Sequence, residues 1–222
     1  MIRLHPIKNQ ASPYWDSLVR IYLQSFPLDE QRPVADIARL IAEDPRYTMY
    51  AIMKDNDEEV RGKGDEEKGN EDCHPETALN SKHYTLNPKH YTLNTKHYTL
   101  NTKPIGLLTT WTFDSFTYIE HFALSPEVRG RGYGSEALAM LIARTEQPLI
   151  LEAEPPTDEL TRRRIGFYER SGFTLYDYPY VQPAYTADSQ PVPLCLMGTL
   201  DTQDIMLDQV SRTLHREVYG CR

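Results

Sequence analysis

The sequence predicts one α/β (α+β) domain, a sheet flanked by helices, and three observations carry that expectation. Pro104 to Phe113 and Phe116 to Ser125 are rich in β-branched and aromatic residues and are separated only by the turn Asp114-Ser115, which reads as a hairpin. Around this hairpin, segments with apolar residues at helical spacing alternate with short strand-like runs. The chain has 222 residues, 40% of them apolar, enough to bury one good core. Residues 1–222 are therefore read as a single domain.

The elements follow in order. Met1 to Pro6 reads as a short strand. A helix comes next, with Ser12 as its expected N-cap and Pro13 at the first helical position. Trp15, Leu18, Val19, Tyr22, Leu23 and Phe26 then form one apolar stripe. The stretch "FPLDEQRP" breaks it. A second helix carries Val34, Ile37, Ala38 and Ile41 and stops near Asp44-Pro45. Arg46 to Lys54 is rich in strand formers. Beyond the hairpin, a helix runs from Tyr133 to about Arg144, with Ala137, Leu138, Leu141 and Ile142 on its inner face. Pro148 to Glu154 is a short apolar strand. A helix from about Asp158 to Ser171 ends at Gly172, a residue suited to a helix C-cap. Phe173 to Tyr180 and Val192 to Leu200 are expected as the last strands. A final helix, within residues 201–222 and from about Thr202 to Val218, is expected to dock on the sheet or on a neighbouring subunit.

An insertion, 55–103, departs from this regularity. Asp55 to Asp72 holds nine acidic and three basic residues and almost nothing apolar, the composition of a solvated loop. A tandem heptapeptide follows, "SKHYTLN", "PKHYTLN" and "TKHYTLN", from Ser81 to Asn101. The aligned His83, His90 and His97 raise the question of a metal. Seven-residue spacing would put them on one helical face, but Thr, Asn and Tyr are poor helix formers and Pro88 interrupts. An odd period also flips the face of a strand at each copy unless a turn intervenes. The reading adopted is a surface insertion with no metal site. Its copies could form short hairpin strands that pair with a second chain, giving a homodimer.

Composition excludes several classes. The formal charge is −8, but most of it lies in the acidic insertion, so nucleic-acid binding gets no support. Cys73, Cys195 and Cys221 are widely spaced and lack a CxxC pair, as expected for reduced thiols in the cytoplasm. The N-terminal "MIRLHPIKNQ" has no apolar signal core, and no run approaches the length of a membrane span.

The stretch that carries chemistry is "VRGRGYG", Val128 to Gly134. Gly130, Gly132 and Gly134 alternate just before a helix, so backbone N–H groups can converge without Cβ obstruction. The helix N-terminus adds about half a positive charge. Together they make an anion cradle, with Arg129 and Arg131 at its rim. A Walker loop is absent, since no GxxxxGK precedes Ser or Thr. A dinucleotide fold would carry its glycines in an early βαβ unit, not after a hairpin late in the chain.

The sequence on both sides decides between the remaining readings. "YIEHFALSPEVRGRGYGSEAL" (Tyr118 to Leu138) closely resembles the central motif of the GNAT superfamily of acyl-CoA-dependent N-acetyltransferases, with Arg129, Gly132 and Gly134 at its key positions. "RIGFYERSGF" (Arg164 to Phe173) resembles that superfamily's second motif. The resemblance implies a GNAT fold: a single twisted, mostly antiparallel mixed sheet split into a V, with acetyl-CoA as co-substrate in the gap. It implies that pantetheine pairs with the backbone of Phe122, Ala123 and Leu124. It also implies that pyrophosphate rests on the amides from Gly130 to Ser135, including Arg131 and Tyr133. Thr161 stands where the superfamily often has Asn, so its contact to the cofactor departs from the pattern.

The resemblance further implies acetyl transfer to an amine. A free alkylamine, with a pKa of about 10.4, is almost wholly protonated at neutral pH, so a base is useful. Glu120 on the fourth strand is the candidate base, and alternation sets it on the face of Phe122 and Leu124 if no bulge intervenes. Tyr168 occupies the position from which the superfamily's tyrosine reaches the CoA sulfur, as general acid. A backbone N–H near Phe122 to Leu124 would be the oxyanion donor. Tyr176, Tyr178 and Tyr180 alternate and would line one face of the sixth strand, with Tyr185 in the following loop. An aromatic cleft with carboxylates nearby suits an amine of a small molecule or polypeptide. Two functions stay open here: a working N-acetyltransferase, or an inactive member that binds acyl-CoA as a sensor or scaffold.

Overall fold

The computed structural model describes residues 1–54, 103–200 and 206–221. The acidic stretch and the heptapeptides, His83, His90 and His97 among them, lie outside the described residues. The strands on either side of that insertion pair directly, with Met53 opposite Pro104.

The sheet contains β1 (Ile2–Ile7), β2 (Tyr47–Lys54), β3 (Pro104–Thr112), β4 (Thr117–Leu124), β5 (Leu149–Ala153), β6 (Thr174–Leu175), β7 (Tyr180–Gln182) and β8 (Val192–Gly198). Their order is β1-β2-β3-β4-β5-β8-β6, with β7 on β8, and every pairing is antiparallel except β4 with β5. Helices α1 (Trp15–Ser25), α2 (Val34–Glu43), α3 (Tyr133–Arg144), α4 (Glu159–Arg170) and α5 (Leu207–Thr213) complete the described chain. None of the described helices is long and apolar enough to cross a membrane.

The sheet separates two cores because strand side chains alternate between its faces. On one face α1 and α2 pack Trp15, Leu18, Tyr22 and Ile37 against Met49, Trp111 and Tyr118, and α5 adds Val210. On the other face α3 and α4 pack Leu138, Leu141, Ile165 and Tyr168 against Leu108, Ile119 and Leu151. Each such fully buried apolar side chain contributes roughly 1.5–3 kcal/mol relative to exposure.

Two irregularities shape the site. β5 pairs with β4 only where Leu149, Ile150 and Leu151 face Thr117, Tyr118 and Ile119. Beyond that point β4 runs on to Leu124 bonded to β3 alone, while Glu152 and Ala153 bond to β8. The sheet is therefore split into a V. The second irregularity is a β-bulge: Thr109 faces His121 and Thr110 faces Ile119, which leaves Glu120 as the extra residue.

Three expectations about elements need correction. α1 begins at Trp15, not at Pro13, because the Ser12 hydroxyl bonds the Tyr14 amide and forms a turn before the helix. The expected strand Phe173 to Tyr180 breaks into β6 and β7, with a turn in which the Tyr178 N–H bonds the Tyr176 carbonyl. Its tyrosines still pack together on the α1–α2 core, but each hydroxyl has a different partner: that of Tyr176 bonds the Leu200 carbonyl, Tyr178 reaches Asp208, and Tyr180 reaches Glu152. The final helix changes type. Residues 202–205 of the expected span lie outside the described residues. From Leu207 the chain is helical to Val218 as expected, but not α-helical throughout. α5 gives way at Leu214 to a wider π-helical turn, Leu214–Val218, whose Leu214 and Val218 are buried in the α1–α2 core.

Candidate active site

The loop between β4 and α3 opens with a 3₁₀ turn, Pro126–Val128, and Arg129 to Gly132 are exposed. Gly130 and Gly132 have φ of 74° and 83°, a region that side chains rarely adopt, and a Cβ on either would point into open space. The first helical bond of α3 runs from the Glu136 N–H to the Gly132 carbonyl, and no side chain caps this end. The amides of Tyr133, Gly134 and Ser135 thus lack partners within the helix. Uncapped amides behind bare, exposed glycines fit a phosphate group.

The third glycine serves another purpose. A Cβ on Gly134 would stand 3.2 Å from the Phe167 ring, so this glycine lets α3 approach α4. Arg129 does not reach outward either: its Nε donates to the Leu124 carbonyl at 3.0 Å and ties the loop to the end of β4. Arg131 is exposed. Thr161 is committed to helix capping. Its amide bonds the Asp158 carboxylate at 2.8 Å while its hydroxyl accepts from the Asp158 N–H at 3.0 Å.

The gap between β4 and β5 adjoins this loop. Among the described residues, the β4 backbone past Ile119 has no strand on its β5 side, and Phe122, Ala123 and Leu124 line that edge. Tyr168 is buried on the α3–α4 face against Phe167 and Phe173. Burial pushes its phenol up to about 12, with Arg164 pulling the other way, so it holds its proton at neutral pH.

The bulge overturns the expected orientation of Glu120. Phe122 and Leu124 pack against the α3–α4 core, whereas Glu120 turns to the α1–α2 face with its neighbour His121. The Glu120 side chain is wholly buried. Its Oε1 accepts from Arg32 Nε at 2.8 Å, Arg32 Nη2 at 2.7 Å and the Tyr185 hydroxyl at 2.9 Å, and its Oε2 accepts from Trp111 Nε1 at 2.9 Å. Oε1 is thus crowded with donors, while Oε2 has one. Burial works to raise its pKa, but the Arg32 guanidinium, His121 and the hydrogen bonds outweigh burial and hold it below the ordinary value. Burial holds the pKa of His121 below its usual range despite Glu120 beside it, so Arg32 rather than His121 carries the balancing charge.

A second carboxylate faces the same region from across the gap. Glu152 follows Ile150 by two residues on β5 and shares its face, the α1–α2 side. The Tyr219 hydroxyl donates to its Oε2 at 2.7 Å, Tyr180 donates to its Oε1, and the Tyr118 hydroxyl is 3.1 Å from that of Tyr219. Among the described residues, no cation offsets its burial as Arg32 does for Glu120. Burial raises the carboxyl, the tyrosine hydroxyls lower it, Glu120 raises it again, and the net is about 7. Two carboxyls thus flank the fork of the V with their proton affinities pushed apart, the arrangement that separates a fixed anion from a proton acceptor.

With this geometry in view, the comparisons with known proteins agree. The family model described as Acetyltransferase (GNAT) family matches residues 63–173, half of the chain. The chain belongs to the GNAT family. A solved structure titled "Putative acetyltransferase from GNAT family from Bacteroides thetaiotaomicron" superposes with a TM-score of 0.72 at 26% identity, covering 99% of both chains. An acetyltransferase from Thermus thermophilus superposes with a TM-score of 0.51 at 12% identity, over 89% of this chain and 96% of that one, and speaks for the fold alone. In sequence, "Putative acetyltransferase YjbC" of Bacillus subtilis (strain 168) is 36% identical over 63 residues, which span 28% of this chain and 32% of that relative. Acetyltransferase family membership and the GNAT fold, with its open, mostly antiparallel sheet, therefore stand for this GNAT chain.

Glu152, Arg32 and Tyr219 are the site residues that the sequence reading did not reach. Glu152 left a trace, because a carboxylate in the apolar run Leu149, Ile150, Leu151 occupies a core-facing strand position. Arg32 and Tyr219 lie in segments without periodicity, 88 and 67 residues from the carboxylates they contact.

Proposed function

We propose that this protein moves an acetyl group from acetyl-CoA to a primary amine of a small molecule or polypeptide. The observation that carries the reading is the fork of the V, with a phenol on one face of the sheet and two differently tuned carboxyls on the other. The uncapped amides of the Gly130 to Ser135 loop would hold the pyrophosphate, and the free β4 edge at Phe122 to Leu124 would hold the pantetheine arm. When bound, acetyl-CoA supplies an activated acyl carbon.

The chain's residues then divide the proton work. Glu152, half-ionised near neutral pH, accepts the proton that the amine loses as its nitrogen bonds the acyl carbon. Tyr168, still protonated, gives its proton to the sulfur as the carbon–sulfur bond breaks. A backbone N–H of Phe122 to Leu124 supports the developing oxyanion. The base expected at Glu120 moves to Glu152 in this reading. Glu120 is paired with Arg32 and its pKa is lowered, so it stays ionised and is a weaker base than Glu152.

A panel of amines with acetyl-CoA, scored by free thiol release, tests the reading. Amine-dependent thiol release is the expected result. Acetyl-CoA binding without transfer to any amine would contradict it and leave a non-catalytic acyl-CoA sensor or scaffold.

A further inference from the structure

The turn that follows α5 bonds one carboxylate directly and reaches the other through Arg32 and Tyr185. Past α5 the chain widens into the π-helical turn, Leu214–Val218, whose buried Leu214 and Val218 anchor it in the α1–α2 core. From that anchor the Val218 carbonyl accepts from Arg32 Nη2 at 2.8 Å, on the guanidinium that holds Glu120. The next residue, Tyr219, donates to Glu152 at 2.7 Å. Its ring packs 5.0 Å from that of Tyr185, which itself bonds Glu120. Farther out, Glu217 pairs with Arg46 at 3.0 Å, and His215 Nε2 lies 3.0 Å from the Val181 carbonyl. A turn that only closed the core would need Leu214 and Val218, but it would not need a buried phenol aimed at a carboxylate.

We propose that Tyr219 is a positioning residue of the acetyl-transfer site, fixing the direction and the proton affinity of Glu152 from the last turn of the chain. This rests on the proposed function and adds a part to it. Glu152 is faced by Tyr118 and Glu120 from β4, by Tyr180 from β7, by Tyr185 from the loop before β8 and by Tyr219. Of these, Tyr180 and Tyr219 donate directly, one to each oxygen. The Tyr118 hydroxyl, 3.1 Å from that of Tyr219, stands beside the same carboxyl and also favours its ionised form. A donor to the ionised form lowers the pKa of a carboxyl, so its loss must raise it.

The test uses the full chain and Tyr219→Phe, which keeps the ring and its packing. Two readouts are taken: the rising limb of the pH–rate profile for acetyl transfer, and the Glu152 carboxyl titration followed by carbon-13 NMR without substrates. Both should move upward by about one pH unit, with KM for acetyl-CoA unchanged. Replacing Tyr219 with 3-fluorotyrosine, a stronger donor in the same place, should move both downward. A Glu152 titration that stays put in both variants overturns the proposal. So does a titration that moves while the rate limb does not, since Glu152 would then not be what the limb reports. Absence of transfer to any amine by the unaltered protein defeats the functional reading instead, and the NMR titration still decides whether Tyr219 sets Glu152.

Discussion

The two faces of the sheet meet at the same fork but are built from different materials. On the α3–α4 side the candidate binding surface is backbone: uncapped amides, two glycines with positive φ, and the free edge of β4. On the α1–α2 side it is a buried side-chain network in which Arg32, Trp111 and Tyr185 hold Glu120, while Tyr180 and Tyr219 hold Glu152. A backbone site depends on which positions lack a Cβ and tolerates most other changes. A network depends on every member, because each loss strands a buried polar partner. The first face suits a group that never varies, such as a diphosphate. The second suits an acceptor particular to this chain.

That contrast orders the expected effects. The largest falls on the network. Arg32→Ala leaves the wholly buried Glu120 without its cation, and about 3–5 kcal/mol of stability should be lost in denaturant titration. A loss below ~1 kcal/mol would show that Glu120 is solvated after all. Next comes the phenol buried on the α3–α4 face. Tyr168→Phe keeps the packing against Phe167 and Phe173 and should lower kcat by roughly 10²-fold while sparing acetyl-CoA affinity. Near-normal turnover, with chemistry limiting the rate, would leave Tyr168 as packing.

The backbone face should respond less. Gly132→Val puts a branched side chain at φ 83°, in the space where phosphate would sit, and should weaken acetyl-CoA about tenfold, or 1.4 kcal/mol. Unchanged affinity by calorimetry would remove the cradle. The smallest effect belongs to the insertion. Met53 and Pro104 already pair, so replacing residues 57–101 with a short Gly/Ser turn should leave the melting temperature and acetyl-CoA binding nearly unchanged. Collapse of the thermal transition would make the repeats part of the core.

The same contrast explains what the sequence could reveal. Gly130 and Gly132 are needed by a local backbone conformation, so a short string carries the signal. α2, α3 and the β3–β4 hairpin were legible for the same reason, their periodicity being local. The network is not local. Its contacts join residues from distant segments, and the bulge at Glu120 reverses the face that simple alternation assigns. Gly134 was read as part of the cradle although a contact with Phe167 on another helix accounts for it. The turn that separates β6 from β7 was missed because its alternating tyrosines imitate a strand while each bonds a different partner.

The central claim is that Glu152 is the proton acceptor, its pKa raised to near neutrality by burial. Its folded pKa of about 7 exceeds the ordinary carboxyl value of 4.5, so between those values the folded state keeps a proton that the unfolded state has lost. Stability from this group is therefore full below about pH 4.5 and falls as pH rises toward 7, by up to about 3 kcal/mol. The decisive measurement compares Glu152→Gln with the unaltered protein in single-turnover acetyl transfer from pH 5 to 9, with unfolding free energies over the same range. The account predicts loss of the rising limb near pH 7, a rate lowered by about 10²–10⁴-fold, and a flatter stability curve. A limb that persists in Glu152→Gln, and vanishes instead in Glu120→Gln, would contradict it.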